Sequence, residues 1–287
     1  MIIIREDQVV AAREGNRAAL DALVRAAQRP IYNLALRMLA DPGAAEDATQ
    51  EILIRIVTNL GALRDPAAAG GWALRITCRH LVELRKQSRT EAMRLSFEGF
   101  AEDLDQGPAP LAEAGLTKVE EAIALEQVKI GCTLALLTCL SRNLRIAYIL
   151  GEIFELTDVE AARALEIAQP AYRQRLKRAR AAVLDFTRAK CGIVSRSASC
   201  HCSRRVVPAL KTGRIGLDGA IDRNDTAQPF DLQRLQDGVQ RLESGRAAAA
   251  LMRSNPGFET EVASLVLTLL DTDARTRLDQ TLTCRPT

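Results

Sequence analysis

The chain has 287 residues, of which 47% are hydrophobic, 26% are charged and 3% are aromatic, and its formal net charge is +3 at pH 7. This length suffices for two small domains with hydrophobic cores, and the composition is ordinary for a soluble protein. Abundant Ala, Leu and Arg, with few aromatic or β-branched runs, favour helices over sheets.

Neither end shows the pattern of a targeting or membrane segment. The start, MIIIREDQ, reaches charge at residue 5 and lacks the apolar core of a signal peptide. The apolar stretch 263–270 is too short to span a bilayer. We therefore expect a cytoplasmic location and no membrane insertion.

Two predicted helices open the chain. Apolar residues recur at helical spacing over residues 16–39, where Pro30 is expected to divide or kink the helix. The dipeptide Asp41-Pro42 predicts the next helix start, because Asp caps helix N-termini and Pro suits the first helical position. The non-apolar side of this second helix carries four polar residues: Asp47, Gln50, Glu51 and Arg55.

A predicted loop, residues 61–71, leads into a basic helix that begins at Trp72. Apolar residues and arginines alternate around this helix, and residues 75–89 contain five Arg or Lys and one acid. Residues 90–117 are instead acidic and contain Gly and Pro, which predicts a flexible linker with room for a short helix. The helical pattern resumes near Lys118 and continues to about Lys190.

Residues 157–186 predict two helices joined by a tight turn. Thr157 and Glu160 form a capping-box pattern, and Pro170 opens the second helix. The first helix, 158–165, is expected to bury Val159, Ala162 and Leu165. The second helix has one apolar seam: Tyr172, Leu176, Ala179, Val183 and Phe186.

The second of these helices is also strongly basic, since residues 173–180 contain five Arg or Lys and no acid. In a helix-turn-helix the apolar seam anchors this helix, and its outer face enters the major groove of DNA. There Gln and Arg contact base edges, while Lys and Arg contact phosphates. A solvated basic helix in an unrelated bundle is the alternative explanation of this segment taken alone.

Residues 191–287 follow a looser pattern. Two helical segments, about 230–253 and 258–283, each predict one buried face: Leu232, Leu235, Val239 and Leu242 in the first, and Val262, Leu265, Val266 and Leu269 in the second. These segments either dock on the preceding helices as a control element or form a poorly ordered tail.

The seven cysteines fall into two sets. Four sit singly and are expected to be reduced thiols: Cys78, Cys132, Cys139 and Cys284. The others cluster with a histidine, in the order Cys191, Cys200, His201 and Cys202, but lack the paired Cys-x-x-Cys spacing of zinc sites. A zinc site, a redox-sensing thiol pair and inert thiols all remain open, and we assign no metal and no cofactor.

Three segments in register carry a family resemblance. They are AEDATQEILIRI (45–56), GWALRITCRHLVELRK (71–86) and RQRLKRARAAV (173–183). Together they resemble the core-binding helix, the Trp-containing promoter helix and the helix-turn-helix ending of bacterial RNA polymerase sigma factors of the extracytoplasmic-function type. The resemblance covers about half of the chain.

The resemblance implies an all-α fold with two small helical domains, an acidic linker and a mostly helical C-terminal extension. It places sigma region 2 at residues 8–89, the linker at 90–117, the region 4 helix-turn-helix at 118–190 and the extension at 191–287. It implies that the protein directs core polymerase to specific promoters and promotes transcription initiation. The partners would be RNA polymerase core enzyme and promoter DNA, and whether an anti-sigma factor also binds is left open.

The resemblance also implies roles for particular residues. The polymerase β′ clamp helices would bind Asp47, Gln50, Glu51 and Arg55. The loop from Arg64 to Gly70 would capture an unstacked promoter base, supported by Arg75, Arg79, Arg85 and Lys86. The candidates for contact with the upstream promoter element are Gln169, Tyr172, Arg173, Arg175, Lys177 and Arg178, with a structural role as the alternative for Tyr172 because it heads the apolar seam. Trp72 is expected to anchor the core.

The chain departs from the family pattern at some positions. Glu166 stands in the turn where the family usually has Gly, and a left-handed non-Gly residue there costs about 1 kcal/mol. His80 and Leu84 or nearby residues replace the usual Asn and Asp of the promoter helix. The family's promoter preference therefore does not transfer to this chain.

Two other classes of function compete with this interpretation. One is a helix-turn-helix transcriptional regulator that does not load polymerase, and the helix around Gln50 argues against it. The other is an enzyme. The chain has two His, no Gly-rich phosphate loop and no Ser/His/Asp constellation, so we expect no catalysis.

Overall fold

The computed structural model describes residues 2–84, 96–216 and 230–270. Within these ranges the chain is helical and contains no strand, so the predicted all-α class is confirmed. The helices in chain order are α1 (Glu6–Arg13), α2 (Arg17–Leu39), α3 (Pro42–Thr58), α4 (Ala69–Glu83), α5 (Phe97–Asp105), α6 (Lys118–Cys139), α7 (Arg142–Tyr148), α8 (Asp158–Ala164), α9 (Gln169–Lys190), α10 (Val206–Lys211), α11 (Leu232–Gln240), α12 (Ser244–Arg253) and α13 (262–270).

Shorter helical turns join these helices. The 3-10 turns are Leu60–Ala62, Pro66–Ala68, Leu111–Ala114 and Cys202–Arg205, and a π-helical turn, Ile149–Ile153, continues α7. The predicted loop 61–71 therefore contains parts of two 3-10 turns and the first residues of α4, which begins at Ala69 rather than at Trp72.

Helices α1, α3 and α4 pack around α2. The Asp41 side chain accepts a hydrogen bond from the Ala44 backbone N–H at 2.7 Å, which confirms the predicted start of α3. Of the two expectations at Pro30, division is wrong, because α2 runs unbroken from Arg17 to Leu39, and a kink stays a prediction. Ala27 and Ile31, on either side of Pro30, are fully buried, so burial of this segment offsets the hydrogen bond that proline removes.

The described part of the acidic segment is packed rather than free. Ser96 caps α5 by accepting a hydrogen bond from Gly99 N–H at 2.9 Å. Phe100 and Leu104 of α5 are buried, and the Phe100 ring stacks on Phe186 of α9 with centroids 5.2 Å apart. The apolar face of α5 thus ties this segment to α9.

Helix α6 forms the centre of the second group of helices. By length and composition alone it could cross a membrane, but 67% of its most apolar window is buried inside the protein. It meets α7 at a sharp corner where Arg145 is buried. The Arg145 guanidinium donates to the carbonyl oxygens of Met38, Thr138 (3.0 Å) and Leu140 (3.0 Å).

These three carbonyls lie at the C-terminal ends of α2 and α6, where helices leave carbonyl groups without intrahelical partners. A cation there also interacts favourably with the negative ends of both helix dipoles. Arg145 therefore joins the first four helices to the second group. A single hydrophobic core cluster includes residues of both groups and of α12 and α13.

The C-terminal extension contributes a segment that crosses both groups, residues 253–267, which we call the strap. Its first three residues bond to the second group: Arg253 Nη1 donates to Glu152 O at 2.7 Å, Lys129 Nζ donates to Ser254 O at 2.8 Å, and Asn255 Nδ2 donates to Thr133 Oγ1 at 2.8 Å. The strap then continues along α2.

The strap is held on α2 by a reciprocal amide pair. Asn33 Nδ2 donates to Phe258 O at 2.7 Å, and Phe258 N–H donates to Asn33 Oδ1 at 3.0 Å. The fully buried Phe258 ring lies under the Arg37 guanidinium, 5.0 Å from centroid to Cζ. Arg29 pairs with Glu259 at 2.9 Å. Farther along, Gln28 Oε1 accepts from Ala263 N–H at 2.5 Å and Arg17 donates to Leu267 O at 2.9 Å.

The predicted buried faces of the extension are only partly correct. Val239, Val262 and Val266 are buried, and Leu232 and Leu235 pack against a small second core. Leu242, Leu265 and Leu269 are instead exposed. Leu242 lies beyond the end of α11, and on α13 the neighbours Ala263 and Leu267 face the core in place of the two leucines.

Candidate functional site

The polar side of α3 is open to solvent. Asp47, Glu51 and Arg55 are exposed and Gln50 is half-buried, while Ile52 and its apolar neighbours face α2. Glu51 Oε1 and Arg55 Nε form an ion pair of 2.8 Å. The four residues predicted to contact the polymerase thus form one continuous polar surface. The opposite side of α3 is buried against α2.

Helix α4 and the turn before it carry the next set of predicted residues. Arg64 is exposed between the two 3-10 turns, and Asp65 caps the second turn by accepting from Ala67 N–H at 3.0 Å. Arg79 is exposed and Arg75 is half-buried. Trp72 packs against the core, as expected of an anchor. Arg85 and Lys86 lie outside the described residues.

The helix-turn-helix begins with the predicted capping box. The Thr157 N–H and hydroxyl both bond to Glu160 Oε2, at 2.9 and 2.7 Å. This arrangement holds the pKa of Glu160 below its usual value, because hydrogen bonds to Thr157 stabilise the carboxylate. The turn itself contains Glu166 at φ +54°, so the chain keeps the left-handed turn without the usual glycine.

Helix α9 is anchored by the predicted seam. Tyr172, Leu176, Ala179 and Val183 are buried, and Phe186 packs against the same core. The Tyr172 side chain is 0% exposed, and its hydroxyl donates to Ala147 O at 3.3 Å. Burial raises the pKa of Tyr172 to about 12. Tyr172 is therefore removed from the predicted DNA contacts, because it cannot reach a ligand outside the core.

The predicted core face of α8 also needs a correction. Val159 is 50% exposed, whereas Ala161, Ala162 and Ala164 are buried. The helix is only seven residues long, and its contacts with α4 and α9 turn the alanine side inward. Short alanine side chains at these positions let α8 lie close to both helices.

The outer face of α9 is basic and accessible. Arg173, Lys177 and Arg178 are exposed, and Gln169 and Arg175 are half-buried. Arg173 Nε pairs with Asp158 of α8 at 2.7 Å, which fixes its direction near the start of the helix. The structure therefore places five of the six predicted upstream contacts on the surface of one rigid helix.

An ion pair joins α4 to the turn that precedes α9. The Arg79 guanidinium of α4 pairs with the Glu166 carboxylate in the helix-turn-helix turn. The hydrogen bond to Glu166 raises the pKa of Arg79. In this packing one predicted DNA contact of α4 is therefore occupied by the neighbouring module.

Sequence reasoning missed the residues of α2 that receive the strap, Gln28, Arg29 and Asn33. The available signal was the Asn inside the apolar run IYNLALRML, because a buried amide needs polar partners. As for metals, the described residues contain no group of three or more His, Cys, Asp or Glu side chains that could hold a metal ion.

Comparison with known proteins agrees with this arrangement. Residues 23–90, which include α3 and α4, match the family model described as sigma-70 region 2. Over 180 residues the chain is 29% identical to the ECF RNA polymerase sigma factor SigE of Mycolicibacterium smegmatis. That similarity spans 60% of this chain and 64% of the length of the relative.

The family match covers the helices that support the α3 surface and the α4 arginines, and the longer similarity extends beyond it. The order of the helices and the helix-turn-helix geometry agree with the same family. The chain is thus similar to sigma-70 region 2 over residues 23–90, and over a longer stretch to a sigma factor of the extracytoplasmic-function type.

Proposed function

We propose that this protein directs RNA polymerase core enzyme to specific promoters and promotes transcription initiation. The observation that carries the proposal is the combination of two surfaces on one fold: the polar face of α3 and the basic face of α9. Both are supported by buried apolar residues of their own helices, so both are rigid. Such a factor acts by positioning and carries no catalysis, and it works in the cytoplasm where the polymerase is.

The α3 face is the proposed docking surface for the polymerase. Asp47, Gln50, Glu51 and Arg55 offer carboxylate, amide and guanidinium groups without an exposed apolar patch. Polar and charged surfaces of this kind contribute specificity and fast association. The relative from M. smegmatis is named as an RNA polymerase sigma factor, which supports the same assignment here.

The α9 face is the proposed reader of the upstream promoter element. Arg173, Arg175, Lys177 and Arg178 supply the positive charge that binds phosphates, and Gln169 lies at the start of the helix, where base contacts concentrate. Arg64, Arg75 and Arg79 would serve the downstream element, with Arg85 and Lys86 as further candidates. Arg79 must leave Glu166 before it can contact DNA.

The domain boundaries follow as part of this proposal: region 2 at 8–89, an acidic linker at 90–117, region 4 at 118–190 and the extension at 191–287. We propose that the extension has a regulatory role. Its strap bonds to α6 at Lys129 and Thr133 and to α2 at Asn33, and it thereby holds the two DNA-binding modules in one packed unit.

The decisive experiment is reconstitution with bacterial core polymerase, followed by mapping of the transcripts that the mixture starts. The variant Gln50→Ala with Glu51→Ala should weaken copurification with the polymerase by about tenfold, which corresponds to roughly 1.4 kcal/mol. Glu14→Ala is the control, because it removes one exposed carboxylate directly after α1, away from the α3 face. Equal pull-down of both variants would refute the role of α3.

The same reconstituted mixture distinguishes our proposal from the alternative function, a transcriptional regulator that does not load polymerase. A regulator that does not load polymerase should bind its duplex tightly when alone and should show no affinity for core enzyme. A sigma factor should instead acquire promoter binding when core enzyme is added. Tight, polymerase-independent duplex binding would therefore replace our proposal with the simpler regulator.

A further inference from the structure

Arg37 is a buried cation with no acidic partner among the described residues. It lies in the last turn of α2, and 5% of the residue is exposed. Its Nη1 donates to Asn33 O at 3.1 Å and to Asn33 Oδ1 at 2.9 Å, whereas its Nε has no hydrogen-bond partner in the described part of the chain. Buried charges in proteins are normally paired with an opposite charge. The burial of Arg37 is therefore not explained by an ion pair.

Two aromatic rings from different parts of the molecule cover this guanidinium. Phe154, at the end of the π-helical turn of the second group, has its ring centroid 5.9 Å from Arg37 Cζ. Phe258 of the strap covers it at 5.0 Å. Both rings attract a cation, but neither replaces the hydrogen bonds that water makes with a guanidinium. Arg37 thus lies where α2, the second group of helices and the strap meet.

The neighbours of Arg37 do not compensate for the hydration that it loses. Burial lowers the pKa of Arg37 to about 10, which means that the folded environment disfavours the charged form. Neutral pH lies below both this value and the ordinary pKa of arginine, so the side chain is charged whether it is buried or exposed. The full cost of burying the charge is therefore present at neutral pH.

No acceptor in the structure depends on Arg37 for a hydrogen bond. Asn33 Oδ1 also accepts from Phe258 N–H at 3.0 Å, and Asn33 O lies inside α2, where the helical backbone supplies a donor. Arg145 differs in this respect, because it donates to carbonyl groups at helix ends that lack intrahelical partners. Removal of the Arg37 guanidinium would leave neither acceptor of Asn33 without a donor.

The strap also contacts the turn that carries Phe154. Arg253, the first residue of the strap, donates to Glu152 O at 2.7 Å and pairs with Glu155 at 3.1 Å. Phe258 follows five residues later in the same segment. Release of the strap would therefore uncover one side of the Arg37 guanidinium and free the turn that covers the other side.

We propose that Arg37 destabilises the packed form, in which both groups of helices and the strap are in contact, and thereby favours its opening. In the packed form the charge is buried without an acid, and water reaches it again when the strap or the second group moves away. Arg145 has the opposite effect, because its hydrogen bonds are lost on opening. The two arginines together keep the packed form within reach of a partner that binds the open form. This inference rests on the regulatory role proposed for the extension.

The test compares Arg37→Met with Arg37→Lys in the full-length chain. Methionine is of similar length, carries no charge and packs well against aromatic rings. Arg37→Met should raise Tm by about 3 °C or more, and it should slow hydrogen exchange of the strap amides by about tenfold. Arg37→Lys keeps the buried charge and should give neither change. Arg37→Leu repeats the loss of charge with a different side chain and should shift both quantities in the same direction as Arg37→Met.

Arg188→Met is the matched control, because it makes the same substitution at an exposed position near the end of α9. It should leave Tm and strap exchange as they are. In transcription with core polymerase, Arg37→Met should be less active than the unmodified chain, because a more stable packed form opens less often.

The inference is overturned if Arg37→Met and Arg37→Leu lower Tm or speed up strap exchange, since the guanidinium would then stabilise the packed form. It is equally overturned if Arg37→Met transcribes as well as the unmodified chain. Failure of the unmodified chain to bind polymerase would instead refute the proposed function, and the comparison of Tm and exchange would still decide the effect of Arg37.

Discussion

Helices α4 and α9 have similar chemistry but differ in what surrounds them. Both bury one apolar side and present arginines on the other. On α9 the basic face is turned to solvent along the length of Arg173 to Arg178. On α4 the Arg79 side chain is held by Glu166 of the helix-turn-helix. Arg173 of α9 is also paired, with Asp158, but that ion pair stays within the second group of helices, whereas the pair of Arg79 crosses from the first group to the second.

The largest effect should follow from removing the anchor of α9. Tyr172→Ala deletes a fully buried aromatic side chain from the seam and should lower the free energy of unfolding by about 3–5 kcal/mol. Tyr172→Phe is the control, since it keeps the ring and loses only the bond to Ala147 O. Urea unfolding followed by circular dichroism measures both. A loss from Tyr172→Ala below that of Tyr172→Phe would contradict the buried position.

The next effect tests what keeps the two modules together. Asn33→Ala leaves the buried N–H and C=O groups of Phe258 without their partner, which should cost about 2–3 kcal/mol. We expect faster proteolysis of the strap and, if the strap restrains the factor, more transcription per polymerase. Asn59→Ala, at an exposed helix end, should change neither quantity. Unchanged cleavage in Asn33→Ala would show that the strap is held elsewhere.

A smaller effect tests the role of the basic face of α9. Lys177→Ala with Arg178→Ala should weaken promoter binding of the polymerase complex by about tenfold and reduce the salt dependence by about two phosphate contacts. Stability should stay within about 0.5 kcal/mol, because both side chains are exposed. Binding measured at several salt concentrations gives the slope. An unaltered slope would exclude these residues from the phosphate contacts.

The smallest effect concerns the contact between the modules. Glu166→Gln removes the charge that holds Arg79 and should lower stability only slightly and in a salt-dependent manner, because both side chains are exposed. Glu166→Gly loses the same pair but relieves the left-handed backbone, a gain of about 1 kcal/mol, so it should be the more stable of the two variants. Thermal unfolding at low and high salt distinguishes them. The reverse order would contradict the strain assigned to Glu166.

The sequence predicted those parts of the fold that depend on local chemistry. Asp41 and Thr157 cap their helices as expected, since capping requires only neighbouring residues. The seam from Tyr172 to Val183 was also predictable, because α9 packs along one line. Its helical period therefore reports the buried face directly.

The remaining features depend on neighbours that are distant in sequence. Val159 and Leu265 are exposed because the helices that contact α8 and α13 select other faces. The strap on Asn33 and the approach of Cys132 to the cysteine cluster join residues more than 50 positions apart, which no periodicity encodes. The resemblance places Tyr172 among the candidate DNA contacts, whereas its position in the seam indicates a structural role, and its full burial agrees with the seam.

The guanidinium of Arg145 has a consequence for how the molecule opens. It donates hydrogen bonds to three carbonyl oxygens at the ends of α2 and α6. Separating these helices therefore leaves several polar groups without partners at the same time. A lysine has one compact ammonium group and cannot reach all three acceptors at once. Partial separation of the two groups of helices should therefore be unfavourable, because the hydrogen bonds of Arg145 to both helix ends are lost together.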